Sequence, residues 1–195
     1  MKTFAVEGHC MAAPPPSDWR EQLARMLDAR PRRIGTWAEL GLYGAMSCMA
    51  NAGESILPQD AQIWLGSRRG TYAATDIVFN QLRDDLPMPL SFLQTQPSQL
   101  LALLAAQMTW KGHAIFVAGG DAAALLRLAG ARSGADGVLL GWLDEMDGGE
   151  TNWLRLRPCA EASGDFVAAS PVTMFSPQIS HLRLTREGLE VRRGY

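Results

Sequence analysis

The side chains able to do chemistry in this chain are few and far apart. Its histidines are His9, His113 and His181, and none stands in a metal-type spacing such as His-x-x-x-His. His113 opens an apolar run and reads as a partner for a neighbouring backbone group. His181 follows Ser180, but a hydrolytic pair needs the hydroxyl within reach of the ring and a third group to orient it. Neighbours on a strand point to opposite faces, so the pair is expected not to meet. Cys10, Cys48 and Cys159 are an odd number at unrelated spacings, which argues against a disulfide framework or a cysteine-type zinc site. Cys48, between Met46 and Met49, reads as a small core residue rather than a thiolate. Asp144, Glu145 and Asp147 cluster at the end of an apolar run, where sites of α/β sheets often lie. The following Gly148-Gly149 favours a solvated hairpin turn there.

Gly119-Gly120-Asp121 is the remaining candidate. A strand that ends in small residues and opens a helix can present a nucleophile or hold an anion. This one has no Gly-x-Gly-x-x-Gly and no Walker lysine, and Asp121 would repel a phosphate. The glycines read as a tight turn and Asp121 as the helix N-cap. No cofactor and no metal is predicted.

The elements that must position these residues follow from periodicity and punctuation. Lys2–Val6 alternates as a strand, and Pro14-Pro15-Pro16 marks a surface connection. A short helix is predicted from an Asp18 cap through Leu27, ended by Pro31, and a stronger one from Thr36 to Ala52 closed by Gly53. Gln62–Gly66 is an apolar strand. A helix over Tyr72–Leu82 should hold Ile77 and Val78 inside. Pro87 and Pro89 then break the chain, with Leu90-Ser91-Phe92 extended. Pro97 suits the first turn of a helix over Ser98–Met108, with Leu100, Leu101, Leu104 and Met108 as its buried stripe. Ala114–Ala118 and Val138–Leu143 are continuous apolar runs flanking a helix that ends near Ala131, as in a βαβ unit buried on both faces. Trp153–Arg157, Phe166–Ala168 and His181–Arg192 read as shorter strands. The fold class is α/β: a mixed, mostly parallel sheet flanked by helices, with short antiparallel strands at the C-terminus.

Composition bounds the function. The chain has 195 residues, 47% of them hydrophobic, enough for a sizeable core. Eighteen basic residues against twenty acidic ones give a net charge of −2, with no basic footprint for nucleic acid. Leu100–Trp110 is too short to span a bilayer, and Glu7 and His9 interrupt any signal-peptide core. The expectation is one cytoplasmic domain over residues 1–195, with no internal repeat.

The order of features resembles the N-terminal half of a β-ketoacyl synthase of the thiolase-like superfamily. Arg32-Arg33 leads into a helix, and Ile63–Ser67 ends in a small-residue turn. Pro89-Leu90-Ser91-Phe92 precedes the Pro97 helix. Lys111-Gly112-His113, the Gly-rich elbow, Gly134-Ala135-Asp136 and Asp144-Glu145 follow, so the likeness runs from about Arg32 to Glu145. In that family an acyl-accepting cysteine occupies the elbow. Here the position falls at or near Asp121, a poor acyl acceptor beside a thiolate. The family's two histidines lie in a C-terminal half that this sequence, ending at Tyr195, is expected to lack.

The resemblance therefore implies no independent condensing enzyme. It implies a chain length factor-like partner of a ketosynthase, forming a heterodimer in type II polyketide, aryl polyene-type or fatty-acid-like elongation. In the family, the strand before the nucleophile lies beside its mate across that interface. Tunnel or interface residues would be Phe92, Gln94, Leu101, Leu104, Met108 and Phe116. Two alternatives stay open: an acyl-transfer or hydrolytic enzyme using the degenerate elbow, and a module that docks an acidic acyl carrier protein through Arg32-Arg33, Arg68-Arg69 or Arg192-Arg193.

Overall fold

The computed structural model describes residues 1–27, 31–86, 89–160 and 164–194. Its frame is a mixed sheet of eight strands in the order β3-β2-β4-β5-β1-β7-β8-β6. The chain runs β1 (Lys2–Ala12), α1 (Trp19–Met26), α2 (Thr36–Asn51), β2 (Gln62–Ser67), α3 (Tyr72–Arg83), α4 (Pro89–Gln94) and α5 (Ser98–Gln107). It continues through β3 (Ala114–Ala118), α6 (Ala122–Arg132), β4 (Val138–Asp144), β5 (Glu150–Cys159), β6 (Val167–Ala168), β7 (Ile179–Leu184) and β8 (Leu189–Arg193).

The α/β class and the mixed sheet are as the pattern predicts, but the sheet is not mostly parallel. Among the described residues only β2 with β3 and β2 with β4 run parallel. The other five pairings are antiparallel. The reason is local: β4 and β5 are joined by the tight Asp144–Gly149 turn, which permits only an antiparallel partner. β1 is longer than the predicted Lys2–Val6. A register shift between Val6 and Gly8 carries the strand past its polar residues. Gly8 belongs there because a Cβ would stand 2.5 Å from the Cys48 carbonyl of α2.

Two cores lie on the two faces of the sheet. On one, α1, α2 and α5 cover Ile63, Leu65, Leu139, Leu143 and Trp153. On the other, α6 and a 3₁₀ turn at Thr173–Phe175 cover Trp64, Val138, Leu140, Trp142, Leu154 and Leu156. β4 is buried along its whole length, as its continuous apolar run predicts. β3 is not. It sits at the end of the sheet and its residues are half-buried or exposed, because among the described residues nothing pairs with its outer side.

Two further expectations fail between β2 and β3. Leu90-Ser91-Phe92 is helical rather than extended, forming half of α4, since Pro89 occupies a first-turn position that needs no N–H. The break placed at Pro87 lies outside the described residues. Ile77 is exposed rather than inside, and α3 buries no residue at all. The helix boundaries and those of β2, β3, β4 and β6 agree with the periodicity to within a residue or two, whereas β5 begins three residues before the predicted Trp153 and the predicted His181–Arg192 segment is two antiparallel strands, β7 and β8. Asp18 stands at the α1 start without a side-chain cap bond to the helix backbone. Its Oδ1 accepts instead from Gln22 Nε2, at 2.9 Å.

Candidate functional site

The elbow has the strand-turn-helix shape that the sequence implies. Gly119 and Gly120 take φ of +80° and +72°, values open to glycine and costly for other residues. The turn is pinned by the Gly119 N–H donating to the Ser67 carbonyl at the end of β2, at 2.9 Å. Asp121 accepts from the Ala124 N–H at 2.7 Å, so its carboxylate is the N-cap of α6. It is exposed, and no histidine or cysteine side chain bonds to it. As arranged, the Asp121 carboxylate orients a helix.

At the tops of β2 and β4 the acidic cluster is more structured than a solvated turn. Asp144 is nearly buried and takes both oxygens to Arg69, at 3.0 Å from Nε and 3.0 Å from Nη2. A bidentate guanidinium–carboxylate pair of this kind is strong and geometrically specific. Glu145 turns the other way and accepts from the Ala73 N–H at the start of α3, at 2.7 Å. Burial pushes the Glu145 carboxyl above its ordinary range, and Asp144 beside it adds to the effect. Glu150 is raised by the same two causes. Asp147 conforms to the turn reading: it is exposed and takes φ of +55°. The sequence signal for Asp144 was present, a carboxylate closing an apolar strand, but its arginine partner lies 75 residues away.

Ser180 and His181 meet, contrary to the strand-alternation argument. Ser180 Oγ lies 3.1 Å from His181 Nδ1. A register shift between Ile179 and His181 rotates the two side chains toward each other. The group set against the ring is the Arg192 guanidinium, 2.8 Å from Nδ1. A triad needs a carboxylate in that role. Burial, and Arg192 after it, hold the His181 pKa below its usual value. Among the described residues no cluster of three metal-binding side chains occurs.

The six tunnel or interface candidates divide by position. Leu104 and Met108 are wholly buried in this chain's own core, with Leu101 and Phe116 packed against its margin. Phe116, on β3, meets the Trp37 indole edge-on at 5.9 Å between ring centres. Phe92 on α4 is 58% exposed, and Gln94 is half-buried beside Gly35. What the sequence reading missed is their company. Tyr72, Ile77, Phe79, Leu82, Leu90 and Leu93 are also exposed on α3 and α4. Phe116 reaches the segment leading into this pair of helices, since a Cβ on Gly70 would stand 3.8 Å from its ring. An apolar edge strand and an apolar helical face are thus connected. Soluble proteins usually cover such a combination.

Comparison with known proteins supports this fold and no finer identity. No family model matches the sequence, and no curated protein matches it. Among solved structures, the ishigamide ketosynthase/chain length factor matches at 12% identity and a TM-score of 0.56, over 73% of this chain and 47% of that one. A chain of AntDE:AntF, a type II PKS acyl-carrier protein in complex with its ketosynthase bound to the hexaketide, matches at 12% identity and a TM-score of 0.59, over 80% and 63%. This chain therefore spans about half of the first of these and under two thirds of the second. A chain from the complex of the ketosynthase ApeO with its chain length factor ApeC, from Xenorhabdus doucetiae, matches at 14% identity and a TM-score of 0.58, over 98% and 99%. The fold is thus the α/β fold of these ketosynthase and chain length factor structures. Among the described residues no helix is long and apolar enough to cross a membrane.

Proposed function

We propose that this chain is a chain length factor-like partner of a ketosynthase, non-catalytic in itself, which docks through β3 and the α3–α4 face. The observation that carries the reading is the edge of the sheet. β3 directly precedes the degenerate elbow and is an apolar edge strand, paired among the described residues only with β2, and the chain also exposes Tyr72, Phe79, Phe92 and Leu93 on α3 and α4. The near end-to-end match to a chain of a ketosynthase and chain length factor assembly supports it. Asp121 supports the non-catalytic part, because its carboxylate is committed to capping α6. In such a pairing, type II polyketide, aryl polyene-type or fatty-acid-like elongation is the setting, and an acyl carrier protein is an indirect partner.

Light scattering on a sizing column, with and without a co-expressed ketosynthase from the same gene neighbourhood, tests it. A stable one-to-one complex is the expected result. A well-behaved monomer that ignores every synthase offered overturns the reading.

Direct carrier docking is favoured by one detail. Arg68 is exposed and makes no hydrogen bond or ion pair among the described residues, whereas Arg69 is tied to Asp144. Charge reversal at Arg68 alone separates this reading from pure scaffolding. Reversal at Arg69 would also break the buried pair.

A further inference from the structure

The chain leaves the body of the fold at Thr71 and returns to it at Thr95, and these two points are tied together. The Thr71 hydroxyl, just before α3, donates to the Thr95 carbonyl, just after α4, at 2.7 Å. Beyond this neck α3 and α4 pack on each other, and neither buries a residue. Among the described residues, one hydrogen bond and no ion pair joins the two helices to anything outside residues 71–96: the Ala73 N–H donates to the Glu145 carboxylate at 2.7 Å. A half-open groove of about 230 Å³ lies between the pair and the body. α4 meets the body at Gln94, whose Cβ would stand 3.3 Å from a Cβ added to Gly35.

A segment opens by itself where opening breaks few bonds and exposes little new apolar surface. Both conditions hold here. Ile77, Phe79, Leu82 and Phe92 are each more than half exposed with the pair in place. Gly70, at φ of +60° beside the neck, has the conformational freedom of a hinge. The single tie is itself under load. Burial, and Asp144 after it, hold the Glu145 carboxyl above its ordinary range, so the shut pair keeps a poorly solvated carboxylate against α3. Among the described residues no other charge lines the groove: α2 gives it Gly35, Thr36 and Trp37, α3 gives Ala73, Ala74 and Ile77, and α4 gives Gln94. Asp144 is already paired with Arg69.

We propose that α3 and α4 form a flap that opens as one unit while the rest of the fold stays in place, hinged at Gly70 and held shut by the Glu145–Ala73 bond. The two helices support each other and little else supports them, so neither opens without the other. Freed of the body, helices this short do not hold their own hydrogen bonds in water, and each opening exposes their amides. The motion belongs to the chain by itself and needs no ketosynthase.

Hydrogen exchange read by mass spectrometry tests it, on the full chain at a concentration where it is monomeric and over a series of low urea concentrations. Peptides from α3 and α4 should share one opening, with protection at least about 100-fold below that of α2 and β4. Gly35→Cys with Gln94→Cys places two Cβ atoms close to the spacing of a natural disulfide, about 3.5–4.5 Å. Oxidised by added glutathione disulfide, that variant should slow exchange in both helices at least about tenfold, and reduction should restore it. Glu145→Gln keeps an acceptor for the Ala73 N–H and removes the charge. It should raise protection in α3 and α4 together and leave α2 and β4 unchanged. Protection in α3 and α4 equal to that of α2 makes them part of the body and overturns the proposal. Two helices that open with different urea dependence, or a formed disulfide that leaves their exchange unchanged, overturn it as well. A Glu145→Gln variant that exchanges like wild type overturns the latch.

Discussion

At the scale of single residues, the most consequential charge is Arg155, whose side chain is entirely buried. Its guanidinium meets Glu54 at 2.6 Å and the Asp136 carbonyl at 2.8 Å, and Arg157 reaches the same Glu54 at 3.2 Å. Removing one member of a buried pair strands the other, at about 3–5 kcal/mol. Glu54→Ala should therefore lower stability by about that much in urea unfolding, whereas Arg183→Ala on the outer strands should cost far less. Asp121→Ala is expected to cost about 1 kcal/mol, the worth of an N-cap, and to leave any complex intact. Loss of a measurable acyl-transfer activity in that variant, with stability unchanged, would instead revive the elbow as an active site. The Asp121 cap was legible in the sequence because a cap is a local event. Arg155, Arg69 and Trp37 were not, because their environments are set by residues brought in from distant parts of the chain.

At the scale of elements, α3 and α4 are the unusual pair. Neither buries a residue, and the links that tie them down are polar. The Ala73 N–H donates to Glu145, the Thr71 hydroxyl to the Thr95 carbonyl at 2.7 Å, and the Gly70 N–H to Ser67 Oγ at 2.8 Å. Periodicity correctly made α3 a helix, but it put Ile77 inside, whereas that side chain faces away from this chain's core. An apolar stripe is read as a core stripe by default, and the same default made β3 a strand covered on both sides. Phe79→Ser and Phe92→Ser together should leave the thermal midpoint of the isolated chain within a degree or two, because both rings are already exposed. The same double variant should weaken ketosynthase binding at least about tenfold in a titration, as expected for aromatic anchors at the centre of an interface. Equal affinity for wild type and variant would place the docking surface elsewhere.

At the scale of the whole molecule, the exposed α3–α4 face and the open β3 edge act in a chain of nearly balanced charge. A net charge of −2 over 195 residues gives little mutual repulsion. Alone in solution, two copies have every reason to cover these surfaces with each other. The weight-average mass from light scattering should therefore rise with protein concentration. It should rise further with sulfate, which strengthens burial of apolar surface, and not fall as it would if charge pairs held the copies together. Phe79→Ser with Phe92→Ser should suppress the rise, and an equimolar ketosynthase should replace it with a single defined complex. The histidines give a second handle on the isolated chain. His9 and His181 both have folded-state pKa values lowered by burial, with Arg192 adding to the effect on His181. Below the ordinary histidine value of 6.5 the unfolded chain binds protons that the fold resists, so their contribution is present at pH 7 and lost as pH falls through that value. Glu145 and Glu150 are shifted upward, so their contribution changes in the opposite sense and at lower pH, growing as the carboxyls take up protons. The thermal midpoint of the monomeric double serine variant should thus fall from pH 7 to 5.5. His9→Gln with His181→Gln should flatten that fall, and a decline that persists undiminished in the double glutamine variant would show that other groups carry it.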